Sequence, residues 1–382
     1  MQRGQPLTAP PSPAGTGMGP TRAMLTTTMS TPARPALSVL DLVPVRDGQT
    51  SAQAVATSLD LAQTADRLGY RRYWFAEHHN MPAVASTTPP VLAAAAAART
   101  SRIRVGSGGV MLPNHSPLVV AEQFAALEAI APGRVDLGIG RAPGSDPVIT
   151  QLLRMSGTTS DVDRFPEHIR DILGLVSPEG SQVRLVSRAG AGGGDTYAVH
   201  ATPAATSAPE VWLLGSSDYS ATLAAAFGLP YVFANHFSGE GLERALDLYR
   251  TQFRESELLS EPRTFLTANA VAAPTESEAR ERMLPQARMM ARLRGGRPLV
   301  ALETVEQARD AEKTDGLASP LIESLQERWF VGAGDEVRER IGAFAARYGV
   351  DEVMVSPVAA SFDAEPFDTA PGRVRTLELL AA

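Results

Sequence analysis

The chain has 382 residues, 44% hydrophobic and 20% charged, which suits a globular protein with a sizeable core and excludes disorder throughout. Cysteine is absent, so disulfides, thiolate metal centres, iron–sulfur clusters and a cysteine nucleophile are excluded, and a reducing cytoplasm is the expected setting. A net charge of −7 gives no global attraction to nucleic acid or anionic lipid.

Residues 1–35 are rich in Pro, Thr, Ser and Gly, lack the apolar segment of a secretory signal, and read as a disordered lead-in. No apolar run long enough for a membrane span follows. Residues 36–382 read as a single domain. Leu37–Val45 is expected as a strand and Ser51–Leu68 as a helix closed by Gly69. Arg72–Glu77 is the second strand, and Thr88 caps a helix with Pro89 and Pro90 in its first turn, running to Arg99. Strand Ile103–Gly109, helix Leu118–Ile130 and strand Arg134–Gly140 continue the alternation. Regularity then fades into an excursion over residues 141–209, with one helical piece at Phe165–Leu175.

Alternation resumes with strand Val211–Gly215, helix Tyr219–Phe227 capped by Gly228, strand Tyr231–Ala234, helix Glu240–Arg254 and strand Phe265–Ala272. A charged helical insertion over residues 275–328, broken at Gly295-Gly296, precedes helix Val337–Tyr348 and the last strand, Glu352–Val358. Four strands before the excursion and four after it give an α/β (β/α)8 TIM barrel with insertions after strand four and before strand eight. A doubly wound sheet is the second architecture.

A barrel places its chemistry at the C-terminal strand ends. Strand two ends in Glu77-His78-His79, where alternation turns one histidine inward and the other outward, and Glu77 is placed to fix a histidine tautomer. A metal pair or purely structural bonding is the competing reading. Strand three ends in Ser107-Gly108-Gly109, which suits either a bulge or a flat ligand against bare backbone. Asn114 and His115 follow in a loop. Strand four ends in Gly138-Ile139-Gly140-Arg141; a dinucleotide fingerprint is rejected because its third glycine is misplaced and Pro143 spoils the helix start. Arg141 suits a phosphate or carboxylate, or is a plain surface residue. Strand five leads through Gly215, Ser216, Ser217, Tyr219 and Ser220 into a helix, a pattern for anion binding or for ordinary capping. Strand six ends in Asn235-His236.

Four segments, 71–82 (RRYWFAEHHNMP), 106–144, 211–230 (VWLLGSSDYSATLAAAFGLP) and 329–341 (WFVGAGDEVRERI), resemble the bacterial luciferase-like flavin-dependent monooxygenases, over nearly the whole chain from Leu37. A branch placed in antibiotic biosynthesis is the nearest in appearance. The resemblance implies that reduced FMN, supplied by a separate flavin reductase, reacts with dioxygen as a C4a-(hydro)peroxyflavin and oxidises a small organic substrate. It implies that His78 acts beside the flavin with Glu77 or His79 fixing its tautomer, and that Gly108-Gly109 carry a non-proline cis peptide behind the ring. It further implies that Arg141, Arg164, Ser216, Ser217, Tyr219 and Ser220 hold the phosphate, and that Asn114, His115, Asn235 and His236 line the substrate pocket. Two departures count against aldehyde-dependent light emission: the family's reactive-thiol position is Gly140 and its phosphate-loop acid is Ser216. The alternatives are an F420-dependent hydride-transfer enzyme, a non-catalytic flavin-binding protein and a purely structural barrel. The Ala-rich helix 91–98 suits close helix packing, and the resemblance implies a homodimer.

Overall fold

The computed structural model describes residues 34–142, 147–154, 162–184, 196–237 and 239–382; the expected lead-in up to residue 33 and parts of the excursion lie outside these. The strands are β1 (Ala36–Asp41), β2 (Arg72–Phe75), β3 (Arg104–Met111), β4 (Val135–Gly140), β5 (Ser181–Arg184), β6 (Thr196–Val199), β7 (Glu210–Gly215), β8 (Tyr231–Phe233), β9 (Thr264–Ala273), β10 (Phe330–Ala333) and β11 (Glu352–Pro357). Eight of them close in parallel as β1-β2-β3-β4-β7-β8-β9-β11, with β11 returning to β1, which is the (β/α)8 barrel. The two insertions fall after the fourth and before the eighth barrel strand.

Local chemistry explains the helices that frame it. Helix Ser51–Leu68 starts at a capping box between Thr50 and Gln53 and ends at Gly69 with φ 82°, a conformation open to glycine. Helix Pro89–Ala97 begins at Thr88 as expected, but the Thr88 side chain does not cap it and the helix stops two residues early. The charged stretch resolves into helices Glu276–Arg294, Val305–Asp315 and Ser319–Arg328, the first ending at Gly295. Elements absent from the sequence expectations are helix Pro147–Arg154, the β5–β6 hairpin, β10 beside the end of β9, and the closing helix Pro371–Ala381.

Alternation along each strand sorts the barrel interior into layers. The lower layer is ionic. Arg72 on β2 bonds Glu352 on β11 at 2.7 Å and Asp136 on β4 at 3.0 Å, and Arg104 on β3 bonds Asp136 at 2.6 Å. Glu210 on β7 accepts from Trp212 at 3.0 Å and pairs with Arg263. Above it, Leu40, Trp74, Trp212, Val232, Phe265 and Met354 form an apolar plug, with Trp74 and Phe265 edge to face at 5.4 Å. Burial of each such side chain contributes about 1.5–3 kcal/mol. The plug closes the barrel from below and leaves only its upper rim for chemistry.

Candidate functional site

The rim divides into two arcs by strand order. The first is built on β3, β4 and β7. The Gly108-Gly109 peptide is cis, beside a register shift between Ser107 and Val110. A Cβ on Gly109 would lie 2.8 Å from the Gly138 carbonyl oxygen and so press on backbone, and one on Gly108 would lie 2.6 Å from Leu40 Cδ1 and have to displace it. Ser107 is buried and donates its hydroxyl to the Gly138 carbonyl at 2.8 Å, tying β3 to β4. Arg141, just past β4, stacks on Tyr219 with its guanidinium carbon 4.1 Å from the ring centroid, and no carboxylate pairs with it among the described residues. Ser217 precedes helix Asp218–Phe227 without bonding the first-turn N–H groups, which remain available to an anion. Ser216 is exposed beside it. Ser220 is buried, so close to Gly215 that any Cβ there would collide with its hydroxyl. Arg164 pairs with Glu167 at 3.0 Å on the surface, so its guanidinium is already engaged.

The second arc runs over the ends of β8, β9, β11, β1 and β2 and opens on a cavity. His78 and His236 both line it, from the two strands that adjoin the first arc. His78 continues the inward series Arg72, Trp74, Ala76. Removal from water lowers its pKa, and His79 adds to this against the pull of the Glu77 carboxylate. His236 is pushed down to about 3 by removal from water and by His78. Both rings are therefore neutral at neutral pH. The Thr267 hydroxyl lies 2.7 Å from His236 Nδ1 and 3.2 Å from the Phe233 carbonyl, which holds the ring in place.

Glu77 corrects one expectation. It does not hold His78. Its Oε1 accepts from His79 Nε2 at 2.9 Å and His115 Nε2 at 2.7 Å, and its Oε2 accepts from the Met111 N–H at 2.9 Å. Burial pushes this carboxyl up, but the bonds from His115 and His79 outweigh it and bring the pKa down to about 2. The physical reason is alternation: Glu77 and His79 share the outward face, and His78 takes the inward one. His115 is thereby placed on Glu77 and not in the cavity. Asn114 is buried in the turn Leu112–Asn114, and Asn235 faces Gly239, so of the expected pocket set only His236 lines the cavity.

Several lining residues escaped sequence reasoning. Asn269 lines the cavity, and Thr267, two residues before it in the otherwise apolar run FLTANAVAA, bonds His236; the alternation rule would have exposed this inward-facing polar pair. Asn269 donates to the His236 carbonyl at 3.1 Å. Gln286, Met289, Met290 and Leu293 come from one face of the insertion helix, at spacings of three and four, and only the tertiary fold brings them to the rim.

A model of the family described as luciferase-like monooxygenase matches residues 36–352. A luciferase-like monooxygenase of Escherichia coli strain K12 is 38% identical over 84% of this chain and 91% of its own length. The N-acetyl-S-alkylcysteine monooxygenase of Bacillus subtilis is 32% identical over 84% and 91%. The crystal structure of apo-MsnO8 superposes with a TM-score of 0.76 and 34% identity over 91% of this chain and 97% of that one. Two more distant structures share the fold. They are the FMN complex of the oxygenating constituent of 3,6-diketocamphane monooxygenase from Pseudomonas putida, at 20% identity and TM-score 0.65 over 91% and 96%, and an F420-dependent secondary alcohol dehydrogenase, at 14% and 0.57 over 85% and 93%. With the barrel, the bare glycine pair and the two-arc rim, these matches place the chain in the luciferase-like monooxygenase family, a family of oxygen-incorporating oxidoreductases.

Proposed function

We propose that the chain is a monooxygenase that uses reduced FMN, delivered by a separate flavin reductase, and dioxygen to oxidise a small organic molecule of secondary metabolism. The observation that carries this reading is Arg141: a guanidinium with no carboxylate paired to it among the described residues, stacked on Tyr219 at the start of a helix whose first-turn N–H groups Ser217 leaves free. This donor set fits a phosphate. The Gly108-Gly109 backbone, bare of side chains, fits a flat ring between that site and the two histidines. When bound, reduced FMN supplies the electrons with which dioxygen is activated for oxygen transfer.

The chain's own groups supply position, dryness and proton control. Arg141, Ser216 and Ser217 bind the phosphate end. The apolar plug and the methionine-lined cavity keep water from the ring edge. His78, neutral and at the border of both arcs, takes or returns one proton, and the His236 ring beside the same cavity holds the second position for it. Glu77, His79 and His115 position the β2 and β3 ends through the Met111 N–H and touch no reacting atom. The separate reductase is supported by the Pseudomonas neighbour, described as the oxygenating constituent of its monooxygenase. A homodimer is supported by exposed Val91, Leu118 and Val119 on the packed helices Pro89–Ala97 and Pro117–Ile130.

Anaerobic titration with reduced FMN and with reduced F420, followed by oxygen, tests the reading. Saturable binding of reduced FMN with oxygen consumed on mixing is expected. Tight F420 binding without affinity for reduced FMN would overturn it.

A further inference from the structure

The second arc has a graded electrostatic character. Deep in the cavity two lining residues carry charge, Asp41 and Arg373, and they cancel. Arg373 gives its Nη2 to Asp41, Nη1 to Ser58 Oγ at 3.2 Å and Nε to the Pro357 carbonyl at 3.2 Å. Asp41 also accepts from the Val43 N–H at 2.7 Å and from Tyr73. The neutral histidines add no charge, and the wall is apolar: Met81, Met289, Met290, Leu302 and Val358. An ion entering this depth would lose its hydration without finding a counter-charge.

The mouth differs. Phe237 and Leu293 are lining residues with large exposed areas, so they mark the open side. There the Phe237 carbonyl accepts from two arginines, Arg328 Nη2 at 3.1 Å and Arg294 Nη2 at 3.5 Å. No carboxylate pairs with either among the described residues. The half-buried Arg328 has its pKa lowered by burial and by Arg294, against the pull of the Glu240 carboxylate. Two cations converge on one neutral oxygen, an arrangement that an anion would relieve. The wall between mouth and depth is preformed. Arg288, on the far side of helix Glu276–Arg294, bonds Glu303 at 2.7 Å and Asp315 at 2.8 Å, and Arg282 bonds Glu365 at 2.8 Å.

We propose that the site takes an amphiphile, a molecule whose uncharged apolar body fills the cavity up to His78 and His236 and whose anionic group is held at the mouth by Arg294 and Arg328. That this molecule is the one oxidised rests on the monooxygenase reading; that it binds does not.

Calorimetry with three probes of ten carbons each tests it: decanoate, methyl octyl ketone and decylammonium, each added to the flavin-free chain and to the chain with reduced FMN under argon. Decanoate is expected to bind about tenfold tighter than the ketone, and decylammonium weakest. The double variant R294Q/R328Q should erase the decanoate advantage and leave the ketone affinity unchanged. M289W, which fills the cavity, should weaken decanoate and ketone together. Equal or tighter binding of the ketone, a decanoate preference that survives R294Q/R328Q, or decanoate binding that survives M289W would each overturn the proposal. Failure of reduced FMN to bind while the probe ranking holds would fell the monooxygenase reading alone, and the converse result would fell this one alone.

Discussion

The lower layer of the barrel and its rim both carry arginines, and they treat them in opposite ways. Below the plug, Arg72 and Arg104 face Asp136, Glu210 and Glu352 at hydrogen-bond distances or close to them, and every charge has a counter-charge. At the rim, Arg141, Arg294 and Arg328 stack on a ring or share a carbonyl, with no carboxylate paired to them among the described residues. A buried charge without a partner is strongly destabilising, so the lower network is what folding requires. Partly solvated cations without partners cost little and retain their affinity for an arriving anion. Charge pairing thus separates the part of this barrel that holds it together from the part that acts.

The comparison breaks most readily at Arg72. R72L leaves Asp136 and Glu352 short of a partner in the interior, and a loss of about 3–5 kcal/mol is expected in chemical denaturation. A rim-like response, within about 0.5 kcal/mol, would show that the lower network is dispensable.

Glu77 gives the next effect and a pH signature. Its carboxyl ionises near 2 in the folded chain against an ordinary 4.5, so its contribution is fully present above 4.5 and is lost as pH falls through about 2. The shift corresponds to about 3 kcal/mol. E77Q should be less stable than the wild type by up to that amount at pH 7, and the gap should narrow as pH falls below 4.5. A gap constant from pH 7 to 3 would mean that charge is not what Glu77 contributes.

Gly109→Ala comes third. Its Cβ would press on the Gly138 carbonyl, and the expected loss is about 1–3 kcal/mol in thermal unfolding, with weaker reduced-FMN binding. Unchanged stability and unchanged binding would show that the strand shifts freely. H78Q, last, should leave stability within about 0.5 kcal/mol while substrate oxidation falls and flavin oxidation releases more hydrogen peroxide. Unaltered coupling of oxygen uptake to product would remove His78 from proton control.

The barrel was legible because strand and helix periodicities alternate eight times and because glycines such as Gly69 and Gly228 stop their helices where expected. The four-residue β10 was not, since FVGA between two helices is too short to show a period. At the site, the alternation that turns one of His78 and His79 inward and the other outward was readable, as was the cation just past β4. Which histidines Glu77 binds was not, because His115 reaches it from another strand, 38 residues along the chain. The cavity wall was hidden for the same reason: Gln286, Met289 and Met290 belong to an insertion helix whose docking is set by Arg288 and Arg282, through partners up to 83 residues away.

The central claim, that Arg141 just past β4 and not the paired network below it serves the cofactor, is tested most directly by comparing wild type and R141A in anaerobic titration with reduced FMN, alongside their thermal unfolding. The account predicts that R141A melts with the wild type and binds reduced FMN at least about tenfold more weakly. Equal affinity in the two proteins would contradict it.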